Sequence, residues 1–303
     1  MSKIGLWWKA ARPFSFTVSL IPPILGGLIA LVENPGLEFS LLHFILAGIG
    51  CMTAHAGANL VSDYYDFKAR VDRQGTFGSS GLLVAGILSP QQVLRGGCVA
   101  LALAGAAGAY LVWATPGGVF LIGLILLGGL LGIFYTAKPF ELKYHALGDL
   151  AVLISFGPAQ VRGAYFVQAH HLYWKPILYS IPVGLLVDAV LHSNNLRDIE
   201  NDRVVQIKTV PILIGEKRAK IMYQALVFGA YLSTLILVAL GSLNAFALLV
   251  LLSLPPAVKV VNMVRRKERM PADQFALIDA ATAQVHLAFG LLMVIGLALR
   301  WIV

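Results

Sequence analysis

Charge is what this 303-residue chain lacks: only 13% of its residues are Asp, Glu, Lys or Arg, about half the share of a soluble globular domain. With an apolar content of 58% and a mean hydropathy of +0.79, that shortage excludes a disordered chain, a collagen-like fibre and an ordinary water-soluble enzyme. Cysteine is nearly missing as well. Cys51 and Cys98 both sit in apolar runs, so no disulfide framework and no thiolate metal site is encoded. No small-residue cleavage site follows Lys3, Lys9 and Arg12; the apolar run continues past Pro22-Pro23 to about Val32 and reads as a retained first span. The Gly-rich stretch Gly75–Gly81 lacks the Lys-Ser/Thr ending of a P-loop and reads as a flexible lid.

What is present is a series of nine apolar segments, at about 14–32, 40–58, 94–114, 118–136, 147–167, 175–193, 219–240, 243–262 and 277–299. Each is long enough to cross about 30 Å of hydrocarbon as a helix. None alternates as a barrel strand must. The expectation is an all-α polytopic membrane protein with nine transmembrane helices, in one domain spanning 1–303. All 23 Lys and Arg except Arg162, Lys175 and Arg300 fall in the N-terminal segment, in the connections after spans two, four, six and eight, or at the span ends bordering them. By the positive-inside rule the N-terminus and these connections are cytoplasmic and the C-terminus is outside.

Two of those connections carry acidic motifs. The first reads Asn59-Leu-Val-Ser-Asp63-Tyr-Tyr-Asp66, the second Asn194-Asn195-Leu-Arg-Asp198-Ile-Glu-Asn-Asp202. On a continuing helix, Asn59, Asp63 and Asp66 fall within about 60° of one another, and so do Asn195, Asp198 and Asp202. Each helix end thus offers two carboxylates and an amide oxygen, at the same membrane side. This spacing suggests a parallel pseudo-repeat of spans 1–4 and 5–8, with 277–299 as a ninth span. Four like charges at a partly desolvated site require a cation. Mg²⁺, with its preference for oxygen ligands and phosphate bridges, is the natural one, and no His/Cys cluster points to a softer metal. Neighbouring Lys68, Arg70, Arg73, Arg197, Arg203 and Lys208 suit the remaining charge of a diphosphate. The combination describes a site for a lipid diphosphate. The net charge of +8 then marks topology and an anionic substrate, with no nucleic acid and no obligate protein partner expected.

These motifs, together with Arg12-Pro13, Tyr135-Thr-Ala-Lys138-Pro139 and Thr209-Val-Pro-Ile-Leu-Ile-Gly215, resemble those of the UbiA-superfamily intramembrane prenyltransferases over nearly the full chain. The resemblance implies a bundle with a central cavity open to lipid, a cytoplasmic cap, and a pair of Mg²⁺ ions on a polyprenyl diphosphate. It implies metal ligation by Asn59, Asp63 and Asp66 and by Asn195, Asp198 and Asp202, and diphosphate contacts from Arg12, Lys68, Arg70 and Lys208. Tyr135 and Lys138 would stand near the reacting centre. Many members have Asn directly before the first Asp, where Ser62 stands here.

The pattern Asn-Leu-Val-Ser-Asp-Tyr-Tyr-Asp-Phe and the segment Gly157-Pro158…Gly163-Ala-Tyr165-Phe-Val-Gln168 are similar to the menaquinone-pathway branch. That branch prenylates the aromatic acceptor 1,4-dihydroxy-2-naphthoate with loss of its carboxylate. Ether-lipid and 4-hydroxybenzoate acceptors share the metal motifs, and a cation-coupled secondary transporter is the reading from another class. Transport predicts acids near mid-membrane, whereas these cluster at helix ends. A CDP-alcohol phosphatidyltransferase is set aside because its Asp-Gly-Ala-Arg motif is absent.

Among the charged or titratable residues inside apolar segments, four are further candidates. Arg162 either anchors an acceptor carboxylate or pairs with Asp188. His55 and His192, each about a turn before a motif, are candidate bases or satisfied core histidines. Asp72 and Glu200 lean away from the two acidic faces and read as solvated.

Overall fold

The computed structural model describes residues 2–302. All nine apolar segments are helices. After a short helix α1 (Lys3–Ala10) come α2 (Pro13–Glu33), α3 (Leu41–Lys68), α4 (Pro90–Ala114) and α5 (Val119–Ile133). The second half holds α6 (Gly148–Ala169), α7 (Lys175–Arg197), the short α8 (Ile199–Val204) and α9 (Val210–Ile214), then α10 (Glu216–Ala239), α11 (Ala245–Arg265) and α12 (Ala272–Trp301). Eight of these are long and apolar enough to span a bilayer. The ninth, α5, has only 15 residues, about 22 Å of helix. The expected span 118–136 is cut short because the chain turns at Phe134 into a loop that Leu142 and Lys143 close by donating to the Phe134 and Tyr135 carbonyls at 3.0 and 2.8 Å.

The main core joins α2, α6, α7, α10, α11 and α12, with Ile21, Leu25, Tyr165, Tyr179, Tyr223 and Phe289 fully buried. The pair α3–α4 packs on its side, and a smaller cluster (Ala10, Leu60, Leu83, Val93) fastens α1 and the 69–89 loop to that pair. The outer faces are studded with exposed apolar side chains such as Val99, Leu103, Trp113, Leu126 and Leu130, the surface that hydrocarbon rather than water covers. The protein is an integral membrane protein.

Close backbone approaches set the helix positions. Gly157 and Gly184 bring α6 and α7 together, so that a Cβ built on either would stand 3.3–3.4 Å from the other's Cα. Gly157 lies in a π-helical turn, Ser155–Ala159, that also contains Pro158. Proline cannot donate to the preceding turn, and the helix absorbs the lost bond by widening there. Near the N-terminus the Trp7 ring fills the space over Gly96 of α4, where an added Cβ would fall 2.5 Å from it.

Gly26 of α2 faces α6 so tightly that a Cβ would lie 2.3 Å from the Val161 carbonyl oxygen. Backbone cannot step aside as a side chain can. Gly26→Ala is expected to cost about 1–3 kcal/mol and to lower the melting temperature in detergent. Gly123→Ala, at a position with nothing within 4 Å of the new methyl, is expected to leave it unchanged.

Candidate active site

A cavity of about 500 Å³ lies between α2, α3, α4, α5, α6 and α7. Its length is walled by apolar and small residues, among them Leu46, Ala104, Leu124, Ile125 and Val167, while one end gathers Arg12, Asn59, Asp72, Lys143, Asn195, Asp198, Asp202 and Asp279. The glycines Gly105 and Gly108 of α4 are part of the wall.

The first motif stays on one continuous helix, since α3 runs through to Lys68. Its two acids are deeply buried, at 1% and 2% exposure, and each is covered by a cation. Arg12 donates to Asp63 Oδ1, and the Ser80 hydroxyl and backbone N–H donate to Oδ2 at 2.7 and 3.2 Å. Lys143 Nζ and the Ser62 hydroxyl donate to Asp66 Oδ2 at 2.7 and 3.1 Å, and the Tyr144 hydroxyl donates to Oδ1 at 2.6 Å. Arg12 and Lys143, not the two acids behind them, line the cavity. Asn59 spends its N–H on the Ala11 carbonyl at 3.1 Å, which leaves its amide oxygen unspent.

The second motif is not a single helix. α7 stops at Arg197, Asp198 takes φ −91° and ψ 5°, and α8 follows; the Asp202 N–H still donates to the Asp198 carbonyl at 2.9 Å, so the acids remain one turn apart. Arg197 grips both oxygens of Asp198 at 2.9 and 2.8 Å, and its Nη1 reaches Asp279 of α12 at 2.7 Å. Asn195 donates to Asp149 Oδ2 at 3.3 Å, and Asp149 also holds His192. Among the described residues no ion pair reaches Asp202.

The glycine-rich connection 69–89 folds over both motifs. Thr76, Phe77 and Gly78 line the cavity, Ser80 holds Asp63, and Phe77 lies 5.8 Å from the Arg197 guanidinium. Gly78 sits at φ +96°, and a Cβ there would come 3.2 Å from Asp198 Oδ2.

Several expected site residues lie elsewhere. Lys68, Arg70, Lys138 and Lys208 are exposed and outside the cavity; Lys68 stacks over its own helix neighbour Tyr64 at 5.0 Å. Arg162 packs on Phe120 of α5 at 5.2 Å, away from the cavity, and makes no pair with Asp188. Tyr135 does line the cavity. Asp72, expected to be solvated, is 8% exposed and faces the cavity. Lys143, Tyr144, Asp149 and Asp279 were not singled out by the motifs. The available signal was a lone acid at the start of spans five and nine, a costly placement that marks a partnered group.

The donor set is oxygen only, which suits Mg²⁺. Among the described residues no three His, Cys, Asp or Glu side chains stand close enough to chelate one ion. Mg²⁺ characteristically takes one or two carboxylates and completes its shell with water and phosphate oxygens, and the three carboxylates of Asp72, Asp198 and Asp202 on the wall are enough for that.

Three comparisons bear on the whole arrangement. The model of the UbiA prenyltransferase family matches residues 20–283. The chain is similar to "UbiA prenyltransferase domain-containing protein 1" of Xenopus tropicalis, 37% identical over 297 residues that cover 98% of this chain and 83% of that one. It is also similar to the Drosophila melanogaster homolog, 36% identical over 295 residues, 97% of this chain and 79% of that one. A solved structure of a UbiA homolog from Archaeoglobus fulgidus bound to GPP and Mg²⁺ superposes with a TM-score of 0.63, covering 95% of this chain and 99% of that chain. At 16% identity that likeness shows the fold.

Burial pushes the Asp202 carboxyl up to about 7, with Lys143 opposing the rise and Asp198 and Asp66 adding to it. Burial and then Asp66 push Asp72 up to about 6 against Lys143 and Arg12. A raised carboxyl pKa in the folded state means that the fold binds a proton the unfolded chain has released. Stability therefore falls as pH rises from about 4 through about 7. Asp202→Asn removes that penalty: thermal melts in EDTA should show a gain of roughly 2–4 °C at pH 8 that disappears toward pH 4.

Proposed function

The chain belongs to the UbiA prenyltransferase family, and on that premise we propose that its cavity binds an isoprenyl diphosphate and passes the prenyl group to an aromatic acceptor, 1,4-dihydroxy-2-naphthoate. The observation that carries the reading is the one-ended polarity of the cavity: cations and acids at one end, apolar wall along the rest. An anionic head on a hydrocarbon tail has the same polarity. The prenyltransferase relatives and the GPP and Mg²⁺ in the Archaeoglobus fulgidus homolog support the prenyl diphosphate part of this reading.

Within this reading Arg12 and Lys143 face the diphosphate oxygens, and Asp72, Asp198 and Asp202, with the amide oxygens of Asn59 and Asn195, hold Mg²⁺. Asp63 and Asp66 keep the two cations in place until substrate competes for them, and then join the metal site. Bound Mg²⁺ neutralises the charge that builds up on the leaving diphosphate. The apolar wall keeps water from the allylic cation and holds the tail. Lys68, Arg70, Lys138 and Lys208, outside the cavity, attract anionic head groups to this end of the bundle, and Tyr135 borders the reacting carbon. Arg162 acts through the packing of α5 on α6 rather than on the acceptor. The acidic end faces the cytoplasm, following the distribution of Lys and Arg.

The test is purified protein in lipid nanodiscs with Mg²⁺, geranylgeranyl diphosphate and a mixed pool of dihydroxynaphthoate, 4-hydroxybenzoate and geranylgeranylglyceryl phosphate. Mass spectrometry is expected to find the prenylated, decarboxylated naphthalenediol. Transfer only to another acceptor overturns the acceptor, and transfer to none overturns the reaction. Asp63→Asn and Asp198→Asn are each expected to lower turnover by at least about 100-fold, with the melting transition retained, and EDTA to abolish it.

A further inference from the structure

His55 of α3 stands on the cavity wall one helical turn before Asn59, about 6 Å along the axis from the ligand cluster toward the apolar depth. Its hydrogen bonds bear on where its proton sits. The Ser15 hydroxyl donates to the Arg12 carbonyl at 2.8 Å, which leaves its oxygen as an acceptor. Ser19 Oγ lies 3.2 Å from the Phe16 carbonyl and 3.0 Å from His55 Nδ1, and Ser15 Oγ lies 3.4 Å from Nε2. With the Ser19 proton on the Phe16 carbonyl, Nδ1–H donates to Ser19 and Nε2 keeps its lone pair; with the Ser19 proton on Nδ1, Nε2–H turns to Ser15. Phe16 and Phe156 flank the ring edge-on, with centroids 5.8 and 5.1 Å away, and hold its orientation.

His192 offers the contrast. Fully buried and off the cavity wall, it has Nδ1 against Asp149 at 2.9 Å and Nε2 against the Ala219 carbonyl at 3.0 Å. Both its nitrogens are spent on structure.

We infer that His55 is the base for the acceptor, taking the proton of its ring hydroxyl at Nε2, with Ser19 as the positioning residue that holds the tautomer. The inference rests on the transfer reaction proposed above. The acceptor O–H bond breaks and its proton passes to Nε2, while the oxygen pair flows into the ring. A ring carbon forms the new C–C bond to carbon 1 of the prenyl group, whose C–O bond breaks with its pair leaving on the diphosphate. The ring then expels the displaced substituent, carbon dioxide from a carboxylated ring or, from an unsubstituted one, a proton that the released diphosphate takes up, and that bonding pair restores aromaticity as an oxyanion. The oxyanion recovers the proton from Nε2, and His55 ends neutral.

The experiment compares the unaltered protein with His55→Gln and Ser19→Ala in nanodiscs, using Mg²⁺, geranylgeranyl diphosphate and a series of hydroxylated naphthoates of increasing hydroxyl acidity. His55→Gln is expected to lower kcat by roughly 100-fold or more while the KM for the diphosphate stays within about 2-fold. The deficit should shrink as the acceptor hydroxyl becomes more acidic, because a weaker O–H needs less help from a base. Ser19→Ala should lose part of kcat with the same unchanged KM, and ¹⁵N spectra of His55 should show a protonated Nδ1 and a bare Nε2. Wild-type kcat in either variant, a deficit equal for every acceptor, or a protonated Nε2 overturns the assignment. Absence of transfer by the unaltered protein overturns the reaction, and the base with it; the ¹⁵N result separates that failure from a wrong tautomer.

Discussion

The polar end of the cavity exists only because its carboxylates are neutralised pair by pair. Asp63 has Arg12, Asp66 has Lys143, and Asp198 and Asp279 share Arg197. Removing one partner of such a buried pair strands a charge and costs about 3–5 kcal/mol. The three cations come from the N-terminal segment, the loop after α5 and the end of α7, so the same pairs that keep the acids ionised also tie these distant parts together. Among the described residues Asp202 is the motif acid that no ion pair reaches, and burial, with Asp198 and Asp66 adding to it against Lys143, raises its pKa.

The apolar frame serves that end by bringing backbones unusually close. Gly26 on Val161 and Gly157 on Gly184 draw α2, α6 and α7 together, and the π-helical turn at Ser155–Ala159 adjusts α6 at the level where Ser155, Phe156 and Ala159 meet the cavity. A chain this poor in charge has little else with which to position helices. Side-chain size, down to single missing methyl groups, does that work.

The helices were legible from the sequence because apolar runs about 20 residues long admit one conformation in hydrocarbon. Their positions matched to within a few residues, apart from α3, which runs ten residues past the expected 58 to Lys68, and α5, whose shortening depends on a loop closure that hydropathy does not register. The acids were legible too, since a period of three to four residues puts them on one face. Their counter-charges were legible only in part. Arg197, next to Asp198 in sequence, does grip it, and Arg12 was expected at the site, but adjacency also pointed to Lys68, Arg70 and Lys208, which turn away. Arg12 and Lys143 lie 51 and 77 residues from the acids they pair with, and no motif marked Lys143. Asp72 is misread for the same reason: the fold-back of the 69–89 loop, not its local pattern, buries it.

The docking of α1 carries a consequence for how the chain is made. Arg12 is synthesised well ahead of the residue it pairs with, which follows 51 positions later, and the glycine socket for Trp7 is in α4. Insertion of the early helices must therefore run ahead of any electrically complete site, with Asp63 entering the bilayer interface before the segment that neutralises it can settle. Helix α1 is thus a strap that closes only once α3 and α4 are in place, and its docking belongs to the biogenesis of the protein before it belongs to its chemistry.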